Sequence, residues 1–471
     1  MNYRIVVRAL LVVGLLLIAD ASLWAQNQSA AELLFRGNGL GVGARAIGMG
    51  GAYVGLADDY AAIFWNPAGM GQLRRMEFNV GFSHNQTENE ALFLGNSLQN
   101  KRTFTRLNSL GFIFPVPTYR GSMVFGVGYN KYRDFDSIRR VEGFNEQYAA
   151  FQDYVAPYYD TFSENQVTRN VSQEITERHS GSLDEFTLAG AVEVQKDLML
   201  GASLRFINGT DEFSKRFVEE DSRNLHNYIS DEILSDLDYW KYLIDQETEI
   251  SAVALKLGAL YRIGTVFRLG ATLTPPMTVK RKLIYTESQP EIYLDGGVEL
   301  EPYEYESEYD FEVKEPYEIS FGASAHLMNF VLSAGVDFRD WSQTKYEKVP
   351  YDGMQLQELN DYVADSLRAT AALRLGAEVY IPLIRSRVRA GYLKQPSPFR
   401  QDEASAGDAY VYPDKEYFSA GISVPLGRQA FFDMALVTTK WDEMRFDPLA
   451  MVESEESQSN HKLLGTLSIR F

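Results

Sequence analysis

Motifs of histidine, serine and glycine would be the first sign of a metal site, a catalytic nucleophile or a dinucleotide site in this sequence. The five histidines, at positions 84, 179, 226, 326 and 461, do not have the spacing of metal ligands. Neither a GxSxG nor an HExxH motif occurs. Gly39, Gly41 and Ala44 fit a loose dinucleotide fingerprint, but no strand precedes them. We therefore predict that the protein is not an enzyme and binds neither a metal nor a cofactor.

The composition narrows the classes of partner. The net charge of -19 and the pI near 4.8 disfavour nucleic acid. The absence of cysteine excludes disulfides, thiolate metal sites and a lipid anchor on an N-terminal cysteine. Aromatic residues make up 13% of the chain, which suits the aromatic girdles of an outer-membrane barrel and also suits a lectin-like β protein.

The first 25 residues have the pattern of a secretion signal. Arg4 and Arg8 precede an apolar run that ends at Ala19, and Ala25 provides a small residue at the expected cleavage point. The apolar run is about half of the roughly 20 residues that a membrane-spanning helix needs. We predict that residues 1–25 are a signal peptide and that the mature protein is exported.

Strict alternation of apolar and polar residues begins near position 75. In the last segment one face carries Leu463, Gly465, Leu467, Ile469 and Phe471. The opposite face carries Lys462, Thr466, Ser468 and Arg470. A β-strand points successive side chains to opposite faces, so each such segment predicts a strand with one apolar side. The same pattern recurs near residues 198, 253, 267, 332 and 373, and its many mid-strand charges favour a wet lumen over a sandwich core.

Short and long connections alternate between these strands, as in a membrane barrel. Six short turns separate seven long polar segments, at 86–104, 133–182, 209–249, 287–310, 342–368, 395–415 and 442–460. This arrangement predicts an all-β fold: a 14-stranded antiparallel transmembrane β-barrel over residues 76–471, in the outer membrane of a Gram-negative cell. The terminal Phe471 on an alternating strand is typical of substrates of the barrel assembly machinery.

One long loop, at about 222–246, has helical periodicity. Its apolar residues recur every three or four positions, at Leu225, Ile229, Ile233, Leu237, Trp240 and Ile244. An apolar helical stripe outside the membrane must pack against something. It either packs on a neighbouring loop or forms a groove that captures a ligand. Its natural partner is the aromatic loop that contains Phe144, Tyr148, Phe151, Tyr154 and Tyr158.

The outer loops also carry much of the negative charge, as in the acidic run that begins at Glu299. Solubility is the favoured interpretation of this charge. The alternative is a divalent-cation bridge to lipopolysaccharide, which would surround the barrel together with the outer-membrane lipids.

Residues 26–75, ahead of the first strand, do not alternate and are rich in small residues. Glycines permit close backbone packing in a confined space, so the segment is interpreted as a plug. The run GARAIGMGGAYVGLADDYAAIFWNPAGM, from Gly43 to Met70, resembles the N-terminal hatch of the FadL/TodX family of outer-membrane hydrophobic-compound transporters. DFRDWS from Asp337, LRLGAEVYI from Leu373 and RVRAGYLKQPSPF from Arg387 agree with this family, so the resemblance covers nearly the whole mature chain.

The resemblance implies a mechanism of passive uptake for long-chain fatty acids or aromatic hydrocarbons. Ligand would land in an outer groove, enter an apolar pocket and leave sideways into the bilayer beside a kinked third strand. Asn66, Pro67, Ala68 and Gly69 would belong to the hatch element that shifts, although an Asn-Pro pair is also typical of a simple tight turn. The strand kink would lie near Gly126 and Gly128, since glycines within strands mark bends.

A ligand carboxylate would need a cation in the lumen. Arg205, Lys256 and Arg268 face inward by strand phase and are the candidates. The competing interpretation is that each forms an ion pair with an acid of the hatch or the lumen, such as Glu193. A second function stays open as well: the same hatch and barrel occur in a subgroup that includes PorV-like barrels of type IX protein secretion.

Overall fold

The computed structural model describes residues 39–151, 169–225, 229–230, 233–234, 237–294, 298–299, 303–349, 355–400 and 413–471. The predicted signal peptide, residues 26–38 of the predicted hatch, and Tyr154 and Tyr158 lie outside these ranges.

Fourteen antiparallel strands form a closed barrel, as predicted. The first seven are β1 (Glu77–Phe93), β2 (Asn96–Val116), β3 (Met123–Asp134, continued by Ser137–Asn145), β4 (Val171–Gln195), β5 (Leu198–Glu220), β6 (Leu237–Ile263) and β7 (Phe267–Thr274, continued by Met277–Leu294). The other seven are β8 (Tyr303–Glu315, continued by Glu318–Leu327), β9 (Phe330–Asp340), β10 (Ala369–Ile381), β11 (Ser386–Gln395), β12 (Lys415–Pro425), β13 (Ala430–Asp447) and β14 (Val452–Arg470). β1 pairs with β14, which closes the barrel.

Three strands are interrupted, each for a local reason. Pro275 and Pro276 divide β7, and Pro316 divides β8, because proline has no amide hydrogen to give to a strand ladder. β3 is divided at Phe135 and Asp136 without a proline. The register of β3 with β4 shifts immediately before that point, between Lys131 and Arg133.

The alternation of the strands separates an apolar outer face from a polar inner face. Leu110, Phe186, Leu255 and Phe321 are among the exposed outward residues, whereas inward residues such as Thr187 are buried. An apolar outer belt around a polar lumen is the arrangement that a lipid bilayer requires of a barrel. No helix of the described residues is long and apolar enough to cross a membrane.

Several segments predicted as loops are outer extensions of the strands. Residues 86–104 form a hairpin of β1 and β2, with Leu92 opposite Ser97, and residues 442–460 lie mostly in β13 and β14. A paired extension satisfies many of the backbone hydrogen bonds that a long polar loop would leave to water. The predicted 342–368 loop contains the helix Leu356–Ser366, and the 3₁₀ turn Trp341–Gln343 follows β9.

The helix predicted at about 222–246 is wrong. Leu237 begins β6, and Trp240 is paired on one side with Glu219 of β5 and on the other with Ile292 of β7. Ile229 and Ile233 lie in a short hairpin of Ile229–Ser230 with Ile233–Leu234. The segment from Leu237 is a strand because pairing with β5 and β7 satisfies its backbone hydrogen bonds, which a helix would make internally. Aromatic residues such as Trp240 also pack well on a strand.

Candidate functional site

Residues 39–75, called the hatch below, occupy the lumen. They form α1 (Ala44–Gly48), α2 (Ala62–Trp65) and the 3₁₀ turn Pro67–Gln72. The turns are short because the segment is held by the surrounding wall rather than by its own helices. Six of its large side chains are fully buried, namely Met49, Tyr53, Leu56, Tyr60, Ile63 and Met70. These hatch side chains therefore pack closely inside the barrel.

Inward-facing glycines of the wall let the hatch backbone approach the strands. A Cβ atom at Gly322 of β8 would lie 2.6 Å from the amide nitrogen of Gly55, and one at Gly376 of β10 would lie 2.8 Å from Cβ of Met49. Gly391 of β11 takes the same close position against Gly50. A side chain at any of these positions would push the hatch away from the wall.

The Asn-Pro-Ala-Gly element is an anchor between hatch and wall. The buried Asn66 amide donates to the carbonyl oxygens of Val54 (2.8 Å) and of Ala259 in β6 (3.1 Å), and its Oδ1 accepts from the Ala68 amide (3.1 Å). Pro67 begins the 3₁₀ turn, and Gly69 lies against Ala57. The local geometry agrees with the tight-turn interpretation. The shift of the Asn-Pro-Ala-Gly element during transport stays a prediction.

A charged network also joins the hatch to the wall. Arg45 of α1 pairs with Asp58 of the hatch and, at 3.0 Å, with Glu378 of β10. Arg268 of β7 pairs with Asp58 at 3.0 Å. Burial by itself would raise the pKa of the Asp58 carboxyl, but the two guanidinium groups outweigh burial and hold this pKa well below its usual range. Asp58 is thus ionised and holds both arginines.

The three predicted head-group cations have different partners. Arg268 pairs with Asp58, and Arg205 of β5 donates to Glu185 of β4 at 2.8 Å from its Nε. Lys256 of β6 is buried and donates to the backbone oxygen of Phe64 at 3.1 Å, with no carboxylate of the described residues within 4 Å.

Ion pairing therefore accounts for Arg205 and Arg268 but not for Lys256. Glu193, the acid suggested from the sequence, pairs instead with Arg74 and Arg262.

A cavity of about 470 Å³ lies in the lumen on the side of the hatch that Phe64 and Trp65 form. Tyr132 of β3, Lys256 and Trp341 also line this lumen cavity. Its wall carries eight Lys or Arg and six Asp or Glu side chains, so it is the more basic part of an acidic protein. Aromatic rings beside cations suit a ligand with an apolar body and a negative or electron-rich end.

The irregularity in β3 lies further along the strand than the kink that the sequence predicted. Gly126 and Gly128 keep a regular register with Ile113 and Gly111 of β2. The strand is interrupted at Phe135 and Asp136. Gly128 and Gly111 instead make room for the ring of Tyr60 from the hatch. Sequence alone cannot distinguish a glycine that bends a strand from one that makes room for another side chain.

Tyr60 connects the hatch to the last paired residues of β2 and β3. Its hydroxyl lies 3.1 Å from Oδ1 of Asn130 and 3.2 Å from the carbonyl oxygen of Leu110. Replacing Tyr60 by Phe should destabilise the docked hatch by about 1 kcal/mol, the usual loss for one hydrogen bond. Faster amide exchange around the ring would show it, whereas Tyr119→Phe on an exposed turn should change nothing.

The predicted outer groove is a filled aromatic cluster. The Trp240 ring is fully buried at centroid distances of 6.1 Å from Phe151 and 5.8 Å from Phe217. Phe151 of the predicted aromatic loop is thus in contact with Trp240. Leu225 is exposed. Ile229, Ile233 and Leu237 lie in β structure and form no helical face with Trp240. Among the described residues this cluster covers the outer end of the barrel wall near β4 to β6 rather than offering a groove.

The sequence did not indicate the ion pair of Arg45 with Glu378, the contact of Tyr60 with the wall, or the place of Trp341 in the cavity lining. The available signal was weak: Glu378 is an acid in mid-strand on an inward phase, and nothing local indicates which hatch residue it meets. The glycines at the middle of many strands were a stronger signal for a tightly packed lumen.

These features define a class: a transmembrane β-barrel of the outer-membrane type whose lumen is filled by its own N-terminal segment. The fold is similar to the crystal structure of the P. putida toluene transporter TodX, with a TM-score of 0.57, 13% identity, and coverage of 92% of this chain and 99% of that one.

A Pseudomonas aeruginosa FadL homologue matches with a TM-score of 0.55 and 13% identity, over 92% of this chain and 99% of that chain. The Ralstonia pickettii toluene transporter TbuX matches with a TM-score of 0.51 and 15% identity, over the same shares of the two chains. No protein-family model and no curated protein matches the sequence. The FadL/TodX-type fold expected from the hatch motif is confirmed.

Proposed function

We propose that this protein is an outer-membrane transporter that takes up hydrophobic compounds passively. The observation that carries the proposal is the lumen cavity, which is lined by the hatch and by the wall strands, the interrupted β3 among them. The similar structures named as toluene transporters and as a FadL homologue support two ligand classes, aromatic hydrocarbons and long-chain fatty acids. Outer-membrane lipids and lipopolysaccharide would surround the barrel.

Passive movement is physically sufficient for such ligands. An apolar compound gains roughly 25 cal/mol for each Å² of surface that moves from water onto apolar side chains such as Phe64 and Trp65, so this part of the entry needs no energy source. The cavity volume of about 470 Å³ falls in the usual range of small-molecule sites, roughly 300–1,000 Å³. Exit sideways into lipid would avoid wetting the ligand again.

The route would pass the hatch and then the wall at β3. The hatch is held by the Asn66 anchor and by the Arg45 and Arg268 ion pairs, all of which involve the wall. A ligand in the cavity would touch Phe64 and Trp65 of the hatch, which line it. Binding there would therefore bias the position of the hatch, and the interruption of β3 on the same cavity offers the lateral exit.

Lys256 is the cation that this proposal assigns to a ligand carboxylate. The Lys256→Met variant should lower the affinity for a fatty acid about tenfold, because a charge-assisted hydrogen bond contributes about 1.5–3 kcal/mol. Affinity for toluene should not change, since toluene has no charged group. Fluorescence competition on purified protein measures both affinities. Lys282→Met, on the exposed outer surface, is the matched control, and an equal loss for both ligands would contradict the assignment.

The decisive experiment is binding of a fluorescent long-chain fatty acid to the purified, folded barrel. Saturable binding that oleate or toluene displaces would support transport and distinguish the two ligand classes. Uptake into cells that express the protein, compared with cells that do not, tests the transport step. Folded protein that binds neither class would contradict the proposal.

A further inference from the structure

The wall between β2 and β3 contains a seam. Backbone pairing of these strands runs regularly from Val116 to Ser109, which lies opposite Asn130. Beyond this last rung, the outer half of β3 pairs with β4, and no rung with β2 is formed among the described residues. The row immediately below the seam places Leu110 and Phe186 outward, and both are exposed, so the seam begins at the edge of the apolar belt.

Side chains of β2 bridge the seam in place of a backbone ladder. Asn100 donates to the carbonyl oxygen of Arg140 at 2.9 Å, and Asn96 donates to that of Glu142 at 3.1 Å. Separating the two strands here breaks side-chain contacts only. Below the seam, separation would break a continuous set of backbone hydrogen bonds and leave each donor and acceptor unpaired in lipid.

Two arginines of β2 face two buried aspartates of β3 across the seam. Arg102 Nη2 lies 2.8 Å from Asp136 Oδ1, and Arg106 also pairs with Asp136. Arg106 Nε lies 3.6 Å from Asp134 Oδ1. Both carboxylates are about 5% exposed or less, whereas each arginine is about one quarter exposed. These four residues are called the seam latch below.

Spaces lie on both sides of the seam latch. The lumen cavity reaches Asp134, Asp136 and Ile138 from within. A depression of about 640 Å³ on the outer surface reaches Arg102 and the same Ile138 from outside. At this point the wall between lumen and exterior is one strand thick and is held by the arginine–aspartate pairs.

We propose that the seam latch keeps a lateral passage of the barrel wall closed and that ligand transfer requires its ion pairs to separate. The proposal rests on the transport function proposed above and adds the element that controls it. Breaking the pairs costs less than breaking a strand ladder, because the arginines are partly exposed and can turn to water. The aspartates retain one cation in the open state, since Lys462 of β14 lies 3.3 Å from Asp134.

The natural absence of cysteine allows a direct test. In the full-length Arg106→Cys/Asp136→Cys variant, a cleavable thiol cross-linker locks the seam. Uptake of the fluorescent fatty acid should fall at least tenfold in the cross-linked protein and recover when the linker is cleaved. Binding to the purified variant should differ by less than twofold between its linked and cleaved forms. The Lys282→Cys/Glu308→Cys variant, whose native side chains pair at 3.1 Å on the outer surface, controls for the chemistry and should transport normally when linked.

A second variant tests the latch without cross-linking. Neutralising its β2 side with Arg102→Gln and Arg106→Gln, neither of which lines the lumen cavity, should raise the initial uptake rate severalfold while ligand affinity stays unchanged. Equal uptake by linked and cleaved protein, with wild-type binding and uptake intact, would overturn the latch and leave the transport function standing. A wild-type protein that neither binds nor takes up ligand would overturn both proposals.

Discussion

A single methyl group at Gly322 is expected to displace the hatch. The Cβ of Gly322→Ala would lie 2.6 Å from the Gly55 nitrogen and 2.9 Å from Cβ of Val54, closer than real Cβ contacts come. Overpacking usually costs about 1–3 kcal/mol, and backbone on both sides gives little room to relax, so about 3 kcal/mol of hatch docking should be lost. Ion conductance across a planar bilayer should rise, and trypsin should reach Arg45.

Gly335→Ala is the matched control for this prediction. Gly335 of β9 lies directly opposite Gly322 in the sheet, but the nearest atom to its Cβ would be the Phe321 carbonyl oxygen at 3.4 Å. Conductance and trypsin cleavage should match those of the wild type. A Gly322→Ala protein that is also indistinguishable from wild type would show that the hatch tolerates displacement at this wall. Gly391→Ala, against Gly50, repeats the test on β11.

The second large effect is expected from Asn66→Asp, a change of one group at almost constant shape. The carboxylate cannot donate to the oxygens of Val54 and Ala259, and it places negative charge against both. Each buried group left without a partner costs about 1–3 kcal/mol, so the hatch anchor should lose about 3–5 kcal/mol. Amide exchange in the turn Pro67–Gln72, followed by mass spectrometry, should rise by two or more orders of magnitude.

Two further variants separate the causes of that effect. Asn66→Ala removes the same bonds without the repulsion, so its exchange should lie between that of wild type and of Asn66→Asp. Asn96→Asp makes the same chemical change at an exposed position, where the amide donates to Glu142, and should change stability by less than about 0.5 kcal/mol. If neither variant exchanged faster than the wild type, the two carbonyl contacts would not be the anchor.

The sequence predicted the barrel because the alternation of apolar and polar residues in a wall strand is visible within that strand's own sequence. Each strand alternates between lipid and lumen with period two, so the faces of Arg205, Lys256 and Arg268 follow from position alone. The spacing of turns then led to fourteen strands, which the fold confirms. The same local reasoning failed at 222–246, where a helical spacing of apolar residues is also compatible with a strand that has partners on both edges.

Contacts between segments far apart in the chain were decided only by the tertiary structure. Arg205 meets Glu185 in the next strand, whereas Arg45 meets Glu378 more than three hundred residues away. Lys256 differs from the other two cations because no carboxylate of the described residues lies within 4 Å of it, and the sequence of its own strand does not indicate this. The period of a strand determines which face a side chain takes. Register, closure of the barrel and the path of the hatch through the lumen determine what that side chain meets.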